Sequence, residues 1–288
     1  MKIGIAIACH NNRVVLEETL PLIYNKDNFI VLFDDNSSDG TDLLIKRKYP
    51  LINYLKGDGF NWWGGSIAKA IDFCLENNCD FVLSLNADVA ITQDTIRKLV
   101  ETSISYDFAI VASVVVDKFD NDKIAWAGSV FKKIHRLIPI YASKYIKKAG
   151  RPIKELGSNA YEVDEVHGRG VIFPKEVFEI IGNLDFKSFP HYGGDTDFSF
   201  RAKKAGIRLI VDPKCISQVF EENTGLVKNE NVTFSKKITQ LLNYLFKRKN
   251  GEALVVWWKL LKKHLPIYYF IPSYFFIISL NIYRRLTK

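Results

Sequence analysis

Three acidic stretches carry the residue types and spacing from which chemistry can be built. The first is Asp34-Asp35-Asn36-Ser37-Ser38-Asp39-Gly40-Thr41. Small polar residues suit a turn into a helix, with Ser38 or Asp39 as a cap. Adjacent carboxylates at a strand end, however, repel unless donors satisfy them. A nucleobase N–H and ribose hydroxyls are such donors, so Asp34 and Asp35 are candidates for reading a nucleotide. The second is Asn86-Ala87-Asp88-Val89. A carboxylate here can hold a hard divalent cation, Mg²⁺ or Mn²⁺, through oxygen. Such a cation is needed where a diphosphate must be neutralised as it leaves; the alternative is an Asx turn. The third runs from Pro190 through His191-Tyr192-Gly193-Gly194-Asp195-Thr196-Asp197 to Ala202. Its glycines let backbone approach a ligand, and its acids open a helix, where the dipole favours negative charge. Asp195 is then either a helix cap or a general base beside an attacking hydroxyl.

A fourth stretch, Gly57-Asp58-Gly59-Phe60-Asn61-Trp62-Trp63-Gly64-Gly65, sets paired tryptophans among glycines. They are either buried caps on the core or the walls of a sugar or base pocket.

The elements that must position these loops follow from periodicity. Ile3–Ala8, Phe29–Phe33, Phe81–Leu85 and Phe108–Val116 read as strands, the first three being short apolar runs buried on both faces. Helical stretches lie between them, over Val14–Tyr24, Thr41–Tyr49, Gly65–Asn77 and Thr92–Ser103, the last with Thr92 as N-cap. Alternation of this kind predicts βαβ units and a mostly parallel sheet flanked by helices. Ligands bind beyond the carboxyl ends of such strands, where the loops after Phe33 and Leu85 lie. From about 117 to 165 the pattern weakens into polar and basic loop. Gly168–Phe173 and Ile207–Val211 then read as strands, and Pro174–Ile181 and Thr196–Ala205 as helices.

The chain has 288 residues, 48% hydrophobic and 25% charged, enough to bury a large core and too apolar for disorder. Its four cysteines form no C-x-x-C pair or zinc-like spacing, so reduced, packed thiols are expected. The short apolar run after Lys2 is broken by His10-Asn11-Asn12-Arg13 without a cleavage-site pattern, so the catalytic part is expected in the cytoplasm. The net charge of +8 belongs to the tail: Leu226–Lys288 holds twelve Lys/Arg against two Asp/Glu, the preceding residues twenty-eight against thirty. These cations flank apolar segments, which is the pattern of a membrane-surface anchor and not of a nucleic-acid-binding face. Leu254, Trp257, Trp258, Leu261 and Leu265 form a helical stripe, and Leu265–Tyr283 is uncharged for nineteen residues. Pro266, Pro272, Ser273 and Asn281 dilute that segment. An interfacial helical tail over 254–286 is therefore expected, with a spanning segment or a helix packed on the domain or on a second subunit as alternatives. The division is 1–225 for the catalytic domain and 226–288 for the tail.

In order and spacing these pieces, together with the opening strand Ile3–Cys9 and His167-Gly168-Arg169-Gly170, resemble the family 2 glycosyltransferases of the GT-A fold, particularly rhamnosyltransferase-like bacterial members. The resemblance spans residues 1 to about 215. It implies that Asp35, with Asp34 beside it, contacts the nucleotide base. Asp88 takes the last position of the family's D-x-D metal motif, whose first position is Asn86 here, so Asp88 is the main protein ligand. Asp195 matches the Asp of the E-D motif, the base, with Gly194 in place of the Glu. Asn61, Trp62, Trp63, Asn86, Arg169 and Gly170 join the donor-binding candidates, and His191, Tyr192 and Asp197 the acceptor side. Some relatives add a downstream histidine to the metal, but Pro213–Glu222 holds Gln218 and no histidine.

The implied reaction is inverting transfer from a nucleotide-diphosphate sugar, uridine- or deoxythymidine-linked, to a hydroxyl of a glycan or lipid-linked acceptor, as in bacterial surface polysaccharide synthesis. It places the protein on the cytoplasmic side of the membrane, possible homo-oligomers included. The alternatives are a metal-dependent sugar nucleotidyltransferase and an inactive scaffold of the same fold. Against the first, no glycine-rich phosphate loop follows the first strand.

Overall fold

The computed structural model describes residues 1–136, 138–220, 234–250 and 252–287. In chain order the elements are β1 (Ile3–Cys9), α1 (Arg13–Thr19), β2 (Phe29–Asp34), α2 (Thr41–Lys48), β3 (Asn53–Lys56), α3 (Trp62–Glu76) and β4 (Phe81–Asn86). Then come β5 (Val89–Ala90), α4 (Gln93–Ser105), β6 (Ile110–Asp117), β7 (Asp120–Trp126), β8 (Ser129–Lys133), β9 (Tyr141–Tyr145) and β10 (Tyr161–Glu162). The chain continues through β11 (Val171–Pro174), α5 (Lys175–Ile181), α6 (Gly194–Lys204) and β12 (Leu209–Val219) to the tail helices α7 (Phe234–Phe246), α8 (Ala253–His264) and α9 (Ile267–Thr287).

The central sheet runs β10-β12-β6-β11-β4-β1-β2-β3, with β5 on β12 and β7 on β6. Strands β3, β2, β1 and β4 are parallel, as are β6 and β12, and β11 joins the two groups antiparallel to both β4 and β6. Ile5, Val31, Leu83 and Val111 are almost wholly buried, as strands covered on both faces require. The four cysteines are all buried as free thiols. This mixed α/β sheet flanked by helices is the architecture the GT-A resemblance implies.

Three expectations change. The stretch 117–165 is not loop but carries β7, the β8–β9 hairpin and β10. Lys132, Lys133 and Lys144 point to solvent there, so these strands show no apolar run to read. Helix α3 begins at Trp62 rather than Gly65, which puts the paired tryptophans in its first turn. Strand β12 extends past Pro213 to Val219, with an irregularity in its pairing to β6 between Asp212 and Ile216 that accommodates the proline. The expected Thr92 cap is present, its side chain accepting from the Thr95 amide.

The tail helices pack together and on the domain. Leu241, Leu245, Ala253 and Ile278 make one cluster; Leu261, Phe270 and Ile277 make another with Ala142 of the β8–β9 hairpin. Ser273 Oγ accepts from the Tyr141 amide at 2.7 Å. Among the described residues no helix is long and apolar enough to cross a membrane. The division expected at 225/226, with Glu221 and Glu222 of the stretch scanned for a histidine, lies outside the described residues.

Candidate active site

The register places the two polar strand ends on either side of β1. Cys9 faces Asp34 of β2 and Ala8 faces Asn86 of β4, so the two ends lie about 10 Å apart across one strand.

At the β2 end the carboxylates are satisfied by the chain itself. Asp34 is 1% exposed; it accepts from Tyr54 Oη at 2.6 Å and from the Ser37 amide at 2.9 Å. Burial, followed by the hydrogen bond to Asp34, pushes the Tyr54 phenol well up. Asp35 accepts from the Gly59 amide, from Asn61 Nδ2 and from the Trp62 amide at 2.8–2.9 Å. The donors this pair needs are thus present within the protein: the Ser37 amide and hydroxyl and Tyr54 Oη for Asp34, and Gly59, Asn61 and Trp62 for Asp35. Asp39 binds the amides of Arg13 and Thr41, fastening the starts of α1 and α2.

By holding Gly59, Asn61 and Trp62, Asp35 shapes the entry to α3, where Trp62 sits at φ 55°. The two indoles then reach different parts of the site. Trp62 packs on His191 with ring centroids 5.3 Å apart, and the guanidinium of Arg248 from the tail lies over the Trp62 ring, 5.8 Å from its centroid. Trp63 Nε1 donates to Asn86 Oδ1 at 2.7 Å, and its ring lies against Gly168, where a Cβ would stand 2.4 Å from Trp63 Cζ2. The Gly64 amide donates to the Pro190 carbonyl at 2.8 Å. Of the two readings left open for the tryptophans, their half-buried placement fits walls that join three loops better than caps on the core.

Asp88, at the turn after β4, is 8% exposed. Among the described residues no other residue donates a hydrogen bond to its carboxylate. Burial raises its pKa, and the charge of Arg169 only partly offsets this. Its own backbone amide is the hydrogen-bond donor it has, and a desolvated carboxylate so sparsely satisfied is of the type that can ligate a cation. No cluster of three His, Cys, Asp or Glu suited to a metal occurs among the described residues. Among the described residues Asp88 is therefore the single carboxylate at this turn that could ligate a cation, and any further ligands would have to come from outside them. Gly170, just before β11, is buried, its amide donating to the Ser84 carbonyl at 3.0 Å. The Arg169 side chain is half-buried, close enough to Asp88, His167 and Tyr192 for its charge to act on all three.

At the third locus Gly193 adopts the left-handed conformation and α6 begins at Gly194. Asp195 is half-buried in the first turn, its Oδ1 accepting from the Thr196 amide. Ser199 Oγ donates to the Asp195 carbonyl at 2.8 Å and accepts from the Val166 amide at 3.1 Å, which fastens α6 to the segment 165–167. Two groups from that segment, Glu165 and His167, sit within electrostatic reach of Asp195. Glu165 is buried, accepts from Ser129 Oγ, and has its pKa raised chiefly by burial. His167 stacks on Trp126 at 4.8 Å, and burial lowers its pKa. Neither was singled out in the sequence as a site residue. Glu165 has only the polar alternation of Asp164-Glu165-Val166-His167 as a signal, whereas His167 also opens the His167-Gly168-Arg169-Gly170 piece of the family resemblance.

Asp197 is the clearest correction. Expected on the acceptor side, it is 0% exposed and closed in by Arg201 Nε at 2.9 Å, Lys263 Nζ at 2.8 Å and His264 Nε2 at 2.8 Å. Burial alone would raise its carboxyl; hydrogen bonds from His264, Lys263 and Arg201 outweigh that and hold it down at about 2. It is an internal ion-pair centre. His191 lies against Trp62 and Tyr192, with Nδ1 buried and unpartnered; burial and then the charge of Arg248 bring its pKa down to about 4. Tyr192 is exposed and its hydroxyl donates to the Lys249 carbonyl.

Direct contacts thus join Asp35, Asn61, Trp62, Trp63, Asn86 and His191. The charge of Arg169 acts on both Asp88 and His167, and His167 in turn feels Asp195. Chains of known structure share this fold. GalNAc-T7, solved with UDP, GalNAc and Mn²⁺, superposes with a TM-score of 0.57 at 14% identity, over 92% of this chain and 52% of that one. S. aureus TarS 1–349 in complex with UDP-GlcNAc gives 0.54 at 12% identity, over 92% and 82%. In sequence, the low-salt glycan biosynthesis hexosyltransferase Agl10 of Haloferax volcanii is 27% identical over 199 residues, 67% of this chain. The match spans 60% of that relative's length. The family profile described as glycosyl transferase family 2 matches residues 4–163, more than half of the protein, and the chain belongs to that family.

Proposed function

We propose that the protein transfers a hexosyl or deoxyhexosyl group, with inversion, from a nucleotide-diphosphate sugar to a hydroxyl of a glycan or lipid-linked acceptor, as in bacterial surface polysaccharide synthesis. The observation that carries the reading is the linkage of the strand-end loops by α3: Trp63 binds Asn86, Trp62 packs on His191, and the Gly64 amide binds the loop leading to Asp195. A donor lying across this edge meets Asp35 and Asn61 at its nucleotide end and Asp88 and Arg169 at its diphosphate. The solved neighbours that share the fold were captured with UDP or UDP-GlcNAc, which supports a uridine-linked donor alongside the deoxythymidine-linked one.

In this reading Asp195 accepts the proton of the acceptor hydroxyl as its oxygen attacks the anomeric carbon from the face opposite the diphosphate. Its half-buried place at the start of α6 leaves it reachable while the helix dipole favours its negative charge. Asp88 is the residue that would hold Mg²⁺ or Mn²⁺, which supplies charge neutralisation at the departing diphosphate. Arg169 adds a second positive charge at the same end. Asp35 orders the 57–62 loop over the nucleotide, and Trp62 and Trp63 exclude water from the sugar.

The tail suits an acceptor carried at a membrane. Ile267, Ile271 and Phe275 recur on successive turns of α9 and are exposed, Ile267 at 74% and Phe275 at 62%. With Tyr268 they form one stripe between the basic pairs Lys262-Lys263 and Arg284-Arg285, an arrangement that fits peripheral attachment to the cytoplasmic face of an anionic bilayer.

A panel of uridine- and deoxythymidine-linked hexoses, assayed for nucleoside diphosphate release with and without Mn²⁺, tests the reading. Asp195→Asn is expected to retain donor binding and lose transfer, and the anomeric configuration of the product tests inversion. Retained turnover in Asp195→Asn removes the base assignment.

A further inference from the structure

The loop that delivers α6 to the site is held from the tail. Helix α8 presents one face to it, with contacts recurring at helical spacing. Val256 and Leu260 fill the space beside Gly193, where an added Cβ would stand 2.8 Å from Val256 Cγ1. Lys259 Nζ donates to the Ser188 carbonyl at 3.0 Å, and Lys263 Nζ binds Asp185 Oδ2 at 2.9 Å. Lys263 and His264 together reach Asp197 Oδ1, two residues beyond Asp195 in the same helical turn. From the opposite side Arg201 joins Asp197 to the carbonyls of Ile181 and Asn183, where the loop begins. The loop is thus gripped at its start, middle and end, and the Asp197 carboxylate that Arg201, Lys263 and His264 share is fully buried, where losing a partner is costly.

We propose that α8 positions the acceptor-side loop and Asp195, with Asp197, Lys263 and His264 as positioning residues, so that the basic tail is part of the transfer machinery and not only an attachment. None of the three touches the reacting atoms; they set where Asp195 stands relative to the donor assembled on α3 and β4. The proposal rests on the reading of Asp195 as the base for its kinetic consequence, but not for its structural one.

The full chain with Lys263→Met tests it, with Lys263→Arg as the conservative rescue. Amide hydrogen exchange is read first, because it needs no substrate. Faster exchange confined to residues 185–199, with β1 and β4 still protected, is expected in Lys263→Met and absent in Lys263→Arg. Binding of UDP and dTDP, measured by titration, is expected to stay unchanged. With whichever donor turns over in the panel, kcat for transfer is expected to fall about 10- to 100-fold at unchanged donor KM, the scale of a small misplacement of a reacting group. Unchanged exchange over 185–199 overturns the proposal, as does a parallel loss of nucleotide binding and kcat, which marks a general structural role. Should Lys263→Met not fold, Lys259→Ala removes the single grip on Ser188 and is read the same way. Retained turnover in Asp195→Asn would end the base assignment while leaving the exchange result to decide the role of α8.

Discussion

The indole N–H of Trp63 donates to Asn86 Oδ1 at 2.7 Å, so the first turn of α3 is fastened to the carboxyl end of β4. That one contact fixes the amide that stands two residues before Asp88 and holds the Trp63 ring against Gly168. Trp63→Phe keeps the ring and removes the donor. It is expected to cost about 0.5–1.5 kcal/mol of stability, the net worth of a hydrogen bond between part-buried groups. It should also weaken nucleotide-sugar binding. Thermal melting and donor titration check both, and a variant matching the wild type in each would show that the contact organises nothing.

Asp88 carries a cost in the cation-free protein. Its carboxyl pKa is raised by burial, so the folded chain disfavours the charged form and loses stability as the pH rises from the unfolded pKa through the folded one. At pH 7 Asp88→Asn removes that cost. The variant is expected to melt higher than the wild type in chelator, and to lose any rise in melting temperature that Mn²⁺ gives the wild type. A lower melting temperature in chelator would mean that an unseen donor satisfies the carboxylate.

How far the site could be read from the chain differs between its parts, for physical reasons. Strands β1, β2 and β4 are legible because burial on both faces writes itself as unbroken apolar runs, and their ends locate Asp34 and Asn86. The hairpins after residue 117 are not, because one face meets solvent and the pattern is diluted by lysine. The start of α3 is displaced by Gly64 and Gly65, which look like loop in the sequence, but Gly64 faces the carbonyls of Phe189 and Pro190 and Gly65 faces Asn61 and the Phe186 ring. Asp195 and Asp197 are alike in the sequence. What separates them is Lys263 and His264, more than sixty residues away, and no local pattern reports a partner at that distance. Arg201, four residues on, was the only local hint that Asp197 is paired. The donors to Asp34 and Asp35 were hidden for the same reason, since Tyr54 and the 59–62 amides become neighbours only once β3 is in the sheet.

Asp197 should make stability depend on acid. Its pKa is about 2 in the folded chain against an ordinary value of 3.8, so the folded state binds the proton more weakly than the unfolded one. The resulting stabilisation, on the order of 2 kcal/mol, is complete above about pH 4. It is lost as the pH falls through about 2. Asp197→Asn leaves Arg201, Lys263 and His264 facing a neutral amide and is expected to lower stability at pH 7 by about 3 kcal/mol or more. The gap between variant and wild type should narrow between pH 4 and 2. Chemical denaturation at stepped pH measures it; a gap that is constant over this range would mean that the carboxylate gains nothing from its three partners.

The stripe Ile267, Ile271 and Phe275 leads to a prediction about attachment. Each large apolar side chain moved from water into the acyl boundary contributes roughly 1.5–3 kcal/mol, and nearby lysines and arginines add about 1 kcal/mol each on an anionic surface. Together these suffice for reversible binding without a spanning helix. The full chain is expected to sediment with phosphatidylglycerol vesicles, less with phosphatidylcholine, and less again at high salt. Ile271→Asp combined with Phe275→Asp should abolish sedimentation while lowering the melting temperature only modestly, because Phe275 is 62% and Ile271 36% exposed. Two other outcomes oppose attachment at this stripe. One is a wild-type protein that stays in solution with anionic vesicles. The other is a wild-type dimer that the double variant dissociates, which would assign the stripe to a second copy of the chain.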